Sequence, residues 1–124
     1  MKYNFDRSFK MRINDDPWEI YLLTEEESEE IDQELNGEND GFRALTLTKF
    51  DGQCMFFVEG SITKSVITHE LFHVYVSYMH LDSSGIDIDS FEEIIAEFLE
   101  NNIDKVIKIR NKIYNRLIKF EGAI

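Results

Sequence analysis

A small α+β domain is the fold class this sequence predicts: an antiparallel β-hairpin or sheet packed on an apolar helix, followed by a long C-terminal helix. Three observations predict it. Asp51-Gly52, a strong hairpin-turn pair, stands between two stretches rich in Thr, Phe, Val and Leu. Residues 61–80 then carry apolar side chains at helical spacing, and from residue 90 such spacing resumes and holds almost to residue 118. A chain of 124 residues with 43% hydrophobic residues suffices for one domain with its own core.

Taken in order, residues 3–13 alternate loosely (Phe9, Met11, Ile13) and residues 18–23 form a short apolar run after Pro17, so both read as strands. Thr24 followed by Glu27 matches a capping box, which starts a helix over residues 25–35 with acids in its first turn, where the helix dipole favours them. Gly37 ends that helix. Residues 42–50 and 53–59 are the arms of the antiparallel hairpin.

In the next helix Ile62, Val66, Ile67, Leu71, Phe72, Val74, Tyr75, Val76 and Met79 cover most of the circumference, which predicts burial on nearly all sides. A turn at Ser83-Ser84-Gly85 precedes the last helix, whose apolar positions run from Phe91 through Ile94, Ile95, Phe98 and Ile103 to Ile118. Asn101-Asn102 marks an expected break, both being poor residues inside a helix. The single domain therefore reads as an acidic strand and helix extension (1–40), a central unit (41–100) and a basic C-terminal helix (101–124).

The net charge of −12 is unevenly placed. Residues 14–40 hold twelve Asp and Glu and no Lys or Arg, while the rest of the chain carries thirteen of each sign. Lys105, Lys108, Arg110, Lys112, Arg116 and Lys119 follow one another with no acid among them. The overall charge argues against nonspecific binding to nucleic acid, an objection that the basic stripe softens locally. The plainest reading of the two charged stretches is the solvated faces of neighbouring helices. Cys54 has no second cysteine to pair with and lies in an apolar run, which suits a buried thiol in a reducing compartment. Without a signal-peptide h-region near the N-terminus or an apolar span of membrane length, the expected location is cytoplasmic. There is no internal repeat, Gly-rich phosphate loop or nucleophile elbow.

The residues with chemistry in them are His69-Glu70-Leu71-Phe72-His73, followed by the carboxylate Glu93. On a helix, positions i and i+4 lie about 40° apart in rotation and roughly 6 Å apart in rise. Both imidazoles then leave one face and can share a tetrahedral Zn²⁺. Glu70, one step round the helix, can reach a water on the metal without ligating it and is the candidate general base. The metzincin register is absent, since its glycine position holds Val76 and its third-histidine position Met79, and His80 misses by one residue.

Thr68-His69-Glu70-Leu71-Phe72-His73, the loop Ser84-Gly85-Ile86 and the Glu-x-x-Ala segment Glu93-Ile94-Ile95-Ala96 together resemble the minimal, gluzincin-like HExxH metallopeptidases. The nearest resemblance is to small zincins encoded by phages and prophages, with the ImmA/IrrE-type peptidases as more distant relatives. The matched segments fall within residues 40–100. The resemblance implies a zincin-like fold and a zinc-dependent metallopeptidase that hydrolyses a peptide bond in a protein substrate. Its metal ligands would be His69, His73 and Glu93, with Glu70 as base; Glu97 and Glu92 remain open as the third ligand, because Ser90 and Glu93 also match a capping box. An oxyanion or rim donor is sought among Tyr75, Tyr78, His80 and Tyr114. The strand over residues 53–59 or its partner would bind an extended peptide by edge pairing. Two other readings are carried beside this one. In the first, the chain is a non-catalytic phage-type inhibitor that occupies a host protein through its acidic surface. In the second, it is a regulator bound to nucleic acid through residues 105–119, its HExxH site acting on a partner repressor.

Overall fold

Two residues at positive φ, Asn14 (52°) and Asp15 (67°), turn the chain between β1 (Ser8–Ile13) and β2 (Asp16–Leu23) in the computed structural model, which describes residues 5–47, 53–79 and 88–122. A two-residue hairpin of type I′ demands that backbone, and Asn and Asp tolerate it better than other side chains. The Arg12 guanidinium donates to the Asp15 carbonyl at 2.8 Å across the same turn. Pro17 lies near the start of β2, ahead of the segment paired with β4, so its missing N–H leaves that ladder intact.

Thr24 caps α1 (Glu25–Asn36) as its sequence predicts. Its hydroxyl accepts from the Glu27 N–H at 3.1 Å, and the Glu27 carboxylate accepts from the Thr24 N–H at 2.8 Å. Gly37, at φ 73°, closes the helix in the left-handed conformation. Buried Asp32 then ties down the chain beyond: its carboxylate accepts from the Gly41 N–H at 3.1 Å and from the Asn36 amide at 2.9 Å.

β3 (Ala44–Leu47) and β4 (Cys54–Val58) pair antiparallel, as the hairpin reading expects. The expected turn at Asp51-Gly52 lies outside the described residues. The sheet has the order β1-β2-β4-β3, and β2 runs parallel to β4. Parallel neighbours need a crossover, and α1 with β3 supplies it between the two hairpins. The sheet is thus mixed rather than antiparallel throughout.

Alternation along the central strands separates two cores. Trp18, Ile20, Leu22, Met55 and Phe57 face one way with Phe9 and Ile13, while Tyr21, Leu23, Cys54, Phe56 and Val58 face the other. Helices cover both faces of these strands, which explains why all five residues of β4 are buried and why its sequence is apolar without interruption. Ile31 of α1 fills the second face. Burial there pushes the Cys54 thiol up to about 12, with the Glu19 carboxylate adding to the effect, so the thiol stays protonated at neutral pH.

α2 (Lys64–Met79) and α3 (Ile88–Gly122) lie on the first face. Thr63 starts α2 by accepting from the Val66 N–H at 3.1 Å. Ile67, Leu71, Val74 and Tyr75 are buried, but His69, Phe72 and His73 are exposed. The expectation of burial on nearly all sides is therefore corrected: the sheet and α3 occupy only part of the circumference of α2. The two helices are antiparallel, with the rings of Tyr75 and Phe98 5.0 Å apart and Lys64 Nζ 5.4 Å from the Tyr114 ring.

α3 runs unbroken through Asn101-Asn102, against the expected break. The Asn101 amide donates to the Glu97 carbonyl at 2.9 Å and the Asn102 amide to the Phe98 carbonyl at 3.1 Å, so both side chains bond within their own helix. Val106, Ile113 and Leu117 anchor it to the core. Its C-terminal end is clamped to the body by the Arg116 guanidinium 4.3 Å from the Phe9 ring, and by Glu121, which accepts from the Gly60 N–H at 2.9 Å. Acidic α1 and the basic stretch of α3 are not neighbours, because the sheet stands between them.

Candidate metal centre

Ile67, Leu71 and Val74 recur at spacings of four and three, and their burial seats one side of α2 on the sheet. Helical geometry then turns His69 and His73 away from the sheet, and 70% of the His69 side chain is open to solvent. The two Nε2 atoms are 3.2 Å apart and the rings are inclined at 76°. Two nitrogens held at roughly 2.0–2.1 Å by one tetrahedral ion stand about 3.3 Å apart. The pair is therefore already spaced for a shared metal.

Glu70 differs sharply from its neighbours. Its side chain is 8% exposed, and it points between α2 and β3 rather than into solvent. A carboxylate out of water needs a donor, and the Thr46 hydroxyl supplies one at 2.7 Å to Oε1. The other oxygen, Oε2, stands 4.0 Å from His69 Nε2. Ligand atoms of His69, Glu70 and His73 all fall within 4.8 Å of one another, so this group can hold a metal ion.

Thr46 was not among the residues the sequence singled out. The alternation of β3 places Ala44 against the core beneath α2 and α3, and Leu45 and Leu47 against the opposite core, so Thr46 shares the Ala44 face. In the sequence nothing set Thr46 apart from Thr48, two residues on. Replacing Thr46 with Val keeps the shape but leaves Glu70 without that donor, and urea unfolding is expected to show a loss of about 1–3 kcal/mol. In a Glu70→Leu background the same change should cost far less, because the pair is coupled.

The remaining sequence candidates are placed as follows. Glu92, Glu93 and Glu97 lie on α3 with exposed side chains, and none joins the His69–Glu70–His73 group. Given the contact of Tyr75 with Phe98, His73 is level with a position near Glu100, and Glu93 lies on the order of 10 Å further along α3. Glu97 is nearest to that level of the three. α3 begins at Ile88, so Ser90 sits inside its first turn rather than ahead of it, and the alternative role of Glu93 in a capping box loses its basis. Tyr75 does not line the open face: it is 3% exposed and packed on Phe98, and burial raises its phenol above the usual range. Half-buried Tyr114 lies under Lys64, at the start of α2. The side chain of Tyr78 and the whole of His80 are outside the described residues.

Of the two hairpin strands, β4 is bonded on both sides, to β2 and to β3. It cannot accept a further strand, and β3 is the edge beside α2. No described helix is long and apolar enough to cross a membrane. No family model, curated protein or solved structure matches this chain.

Proposed function

We propose that this protein is a zinc-dependent metallopeptidase. The observation that carries the reading is the 3.2 Å separation of His69 Nε2 and His73 Nε2 on an open helix face, with the anchored carboxylate of Glu70 beside them. His69 and His73 would hold the ion together with a carboxylate of α3, Glu93 by its Glu-x-x-Ala context or Glu97 by its level on the helix. When bound, zinc supplies a Lewis acid that polarises a peptide carbonyl and lowers the pKa of a coordinated water to about 7.

The protein's own residues do the rest. Glu70 accepts the proton of the attacking water and returns it to the leaving amine. Thr46 holds one carboxylate oxygen, which leaves the other turned toward His69 and free for that transfer. An extended peptide would pair with the outer edge of β3, which sets its backbone alongside α2. Exposure of His69 and His73 favours a protein or peptide substrate over a small enclosed one.

Elemental analysis of protein prepared without chelators tests the reading. Wild type should carry about one zinc per chain, and His73→Ala should carry none. Loss in Glu93→Ala or in Glu97→Ala names the third ligand. Wild type that neither carries nor takes up zinc overturns the proposal. The reading as a binding protein would then stand on one observation: Glu25, Glu26, Glu30 and Glu34 form an exposed acidic helix face across the sheet from the histidines.

A further inference from the structure

At a rise of 1.5 Å per residue the 35 residues of α3 extend about 52 Å, while the eight residues of β2 and the sixteen of α2 each reach only about 25 Å. α2 runs alongside α3 between Phe98 and Tyr114 and covers only one side of it. On the side left open Leu99, Ile103 and Ile107, spaced by four, are 43%, 41% and 36% exposed. They make one apolar stripe along the helix, and they are half of the six large exposed hydrophobic residues among those described.

Charge along the same helix is divided into two blocks. Residues 89–104 contain Asp89, Glu92, Glu93, Glu97, Glu100 and Asp104 with no base, and residues 105–119 contain six bases with no acid. The boundary falls beside Ile103, in the middle of the stripe. A parallel copy of this helix would set acid against acid. An antiparallel copy sets each acidic half against a basic half.

We propose that α3 is a self-association surface on which a second copy of this chain docks antiparallel about Ile103. In a two-fold pair centred there, Leu99 of one copy meets Ile107 of the other, as an isologous interface requires. Lys108 and Arg110 then lie alongside Glu97 and Glu93 of the facing helix, and the reverse holds by symmetry. Lys108, Glu93 and Glu97 are exposed and Arg110 is half-buried, so these side chains are within reach of a partner. A contact between two helix stripes is smaller than a standard interface of roughly 1,600 Å². Association is accordingly reversible, strengthened by concentration and weakened by salt.

Glu93 and Glu97 are also the carboxylates offered to zinc above, so sedimentation equilibrium is run on metal-free protein, over a micromolar to submillimolar range. Wild type is expected to approach twice the 14.7 kDa chain mass as concentration rises. Ile103→Glu should weaken association about tenfold or more, with an unchanged helical spectrum and melting temperature because the residue is already exposed. Lys108→Glu should also weaken it, and adding Glu97→Lys in the same chain should restore it by exchanging the charges across the pair. Single-chain mass at every concentration overturns the proposal. So does a dimer that Ile103→Glu leaves as tight as before, or a Glu97→Lys change that fails to rescue Lys108→Glu.

Discussion

Replacing Glu70 with Gln is expected to leave zinc bound and to lower peptide hydrolysis by about 10²–10⁴-fold, the range of a general base. Gln keeps the length of the side chain and can still accept from the Thr46 hydroxyl, so the local packing of Glu70 between α2 and β3 survives. It cannot take a proton from water at neutral pH. Zinc-loaded wild type and variant, compared on a fluorescently labelled protein substrate, give the measurement, with zinc content determined on the same samples. Equal turnover by the variant removes Glu70 from the chemistry. Loss of zinc as well as turnover instead makes Glu70 a ligand, an outcome that the 4.8 Å grouping of the three side chains also permits.

Leu71→Ala is expected to cost about 2–5 kcal/mol of stability, whereas Phe72→Ala, one residue on, should cost under about 1 kcal/mol. Leu71 is fully buried in the core under α2, and its truncation leaves a cavity that the flanking Ile67 and Val74 cannot fill without moving the helix. Phe72 is 38% exposed on the side that carries the histidines. Urea midpoints for the two variants measure the contrast. Similar losses at both positions would mean that α2 is enclosed all round, as its composition alone suggests. A second consequence concerns the site: Leu71 seats the turn from which His69, Glu70 and His73 project, so its truncation should also weaken zinc affinity in the folded protein.

Legibility of the fold followed the range of the interactions responsible. The capping box of α1 and its Gly37 terminus were readable because each rests on neighbours within four residues, and the two strands ahead of it because their apolar residues fall in short runs, although their pairing spans up to thirteen residues. The break expected at Asn101-Asn102 failed on the same local reasoning. Propensity counts against Asn inside a helix, but side-chain bonds to carbonyls one turn back, with Val106 and Ile113 anchored beyond, carry the helix through. The parallel pairing of β2 with β4 was not readable at all, because no local signal says which arm of the second hairpin lies beside β2.

At the candidate metal site the spacing of His69 and His73 along α2 was decided by the sequence alone, since helix geometry turns an interval of four into one shared face. Composition and charge likewise marked α1 as an acidic surface helix and the end of α3 as a basic one. Tertiary structure decided what surrounds them. It buried Glu70 against Thr46, twenty-four residues away in the chain, and left the histidines in water. It made β3 the edge strand, put the sheet between the two charged helices, and carried Glu93 along α3 away from the level of His73. The physical reason is common to all of these. A helical period fixes direction relative to the helix axis, whereas the neighbour met in that direction is chosen by how whole faces are buried against one another.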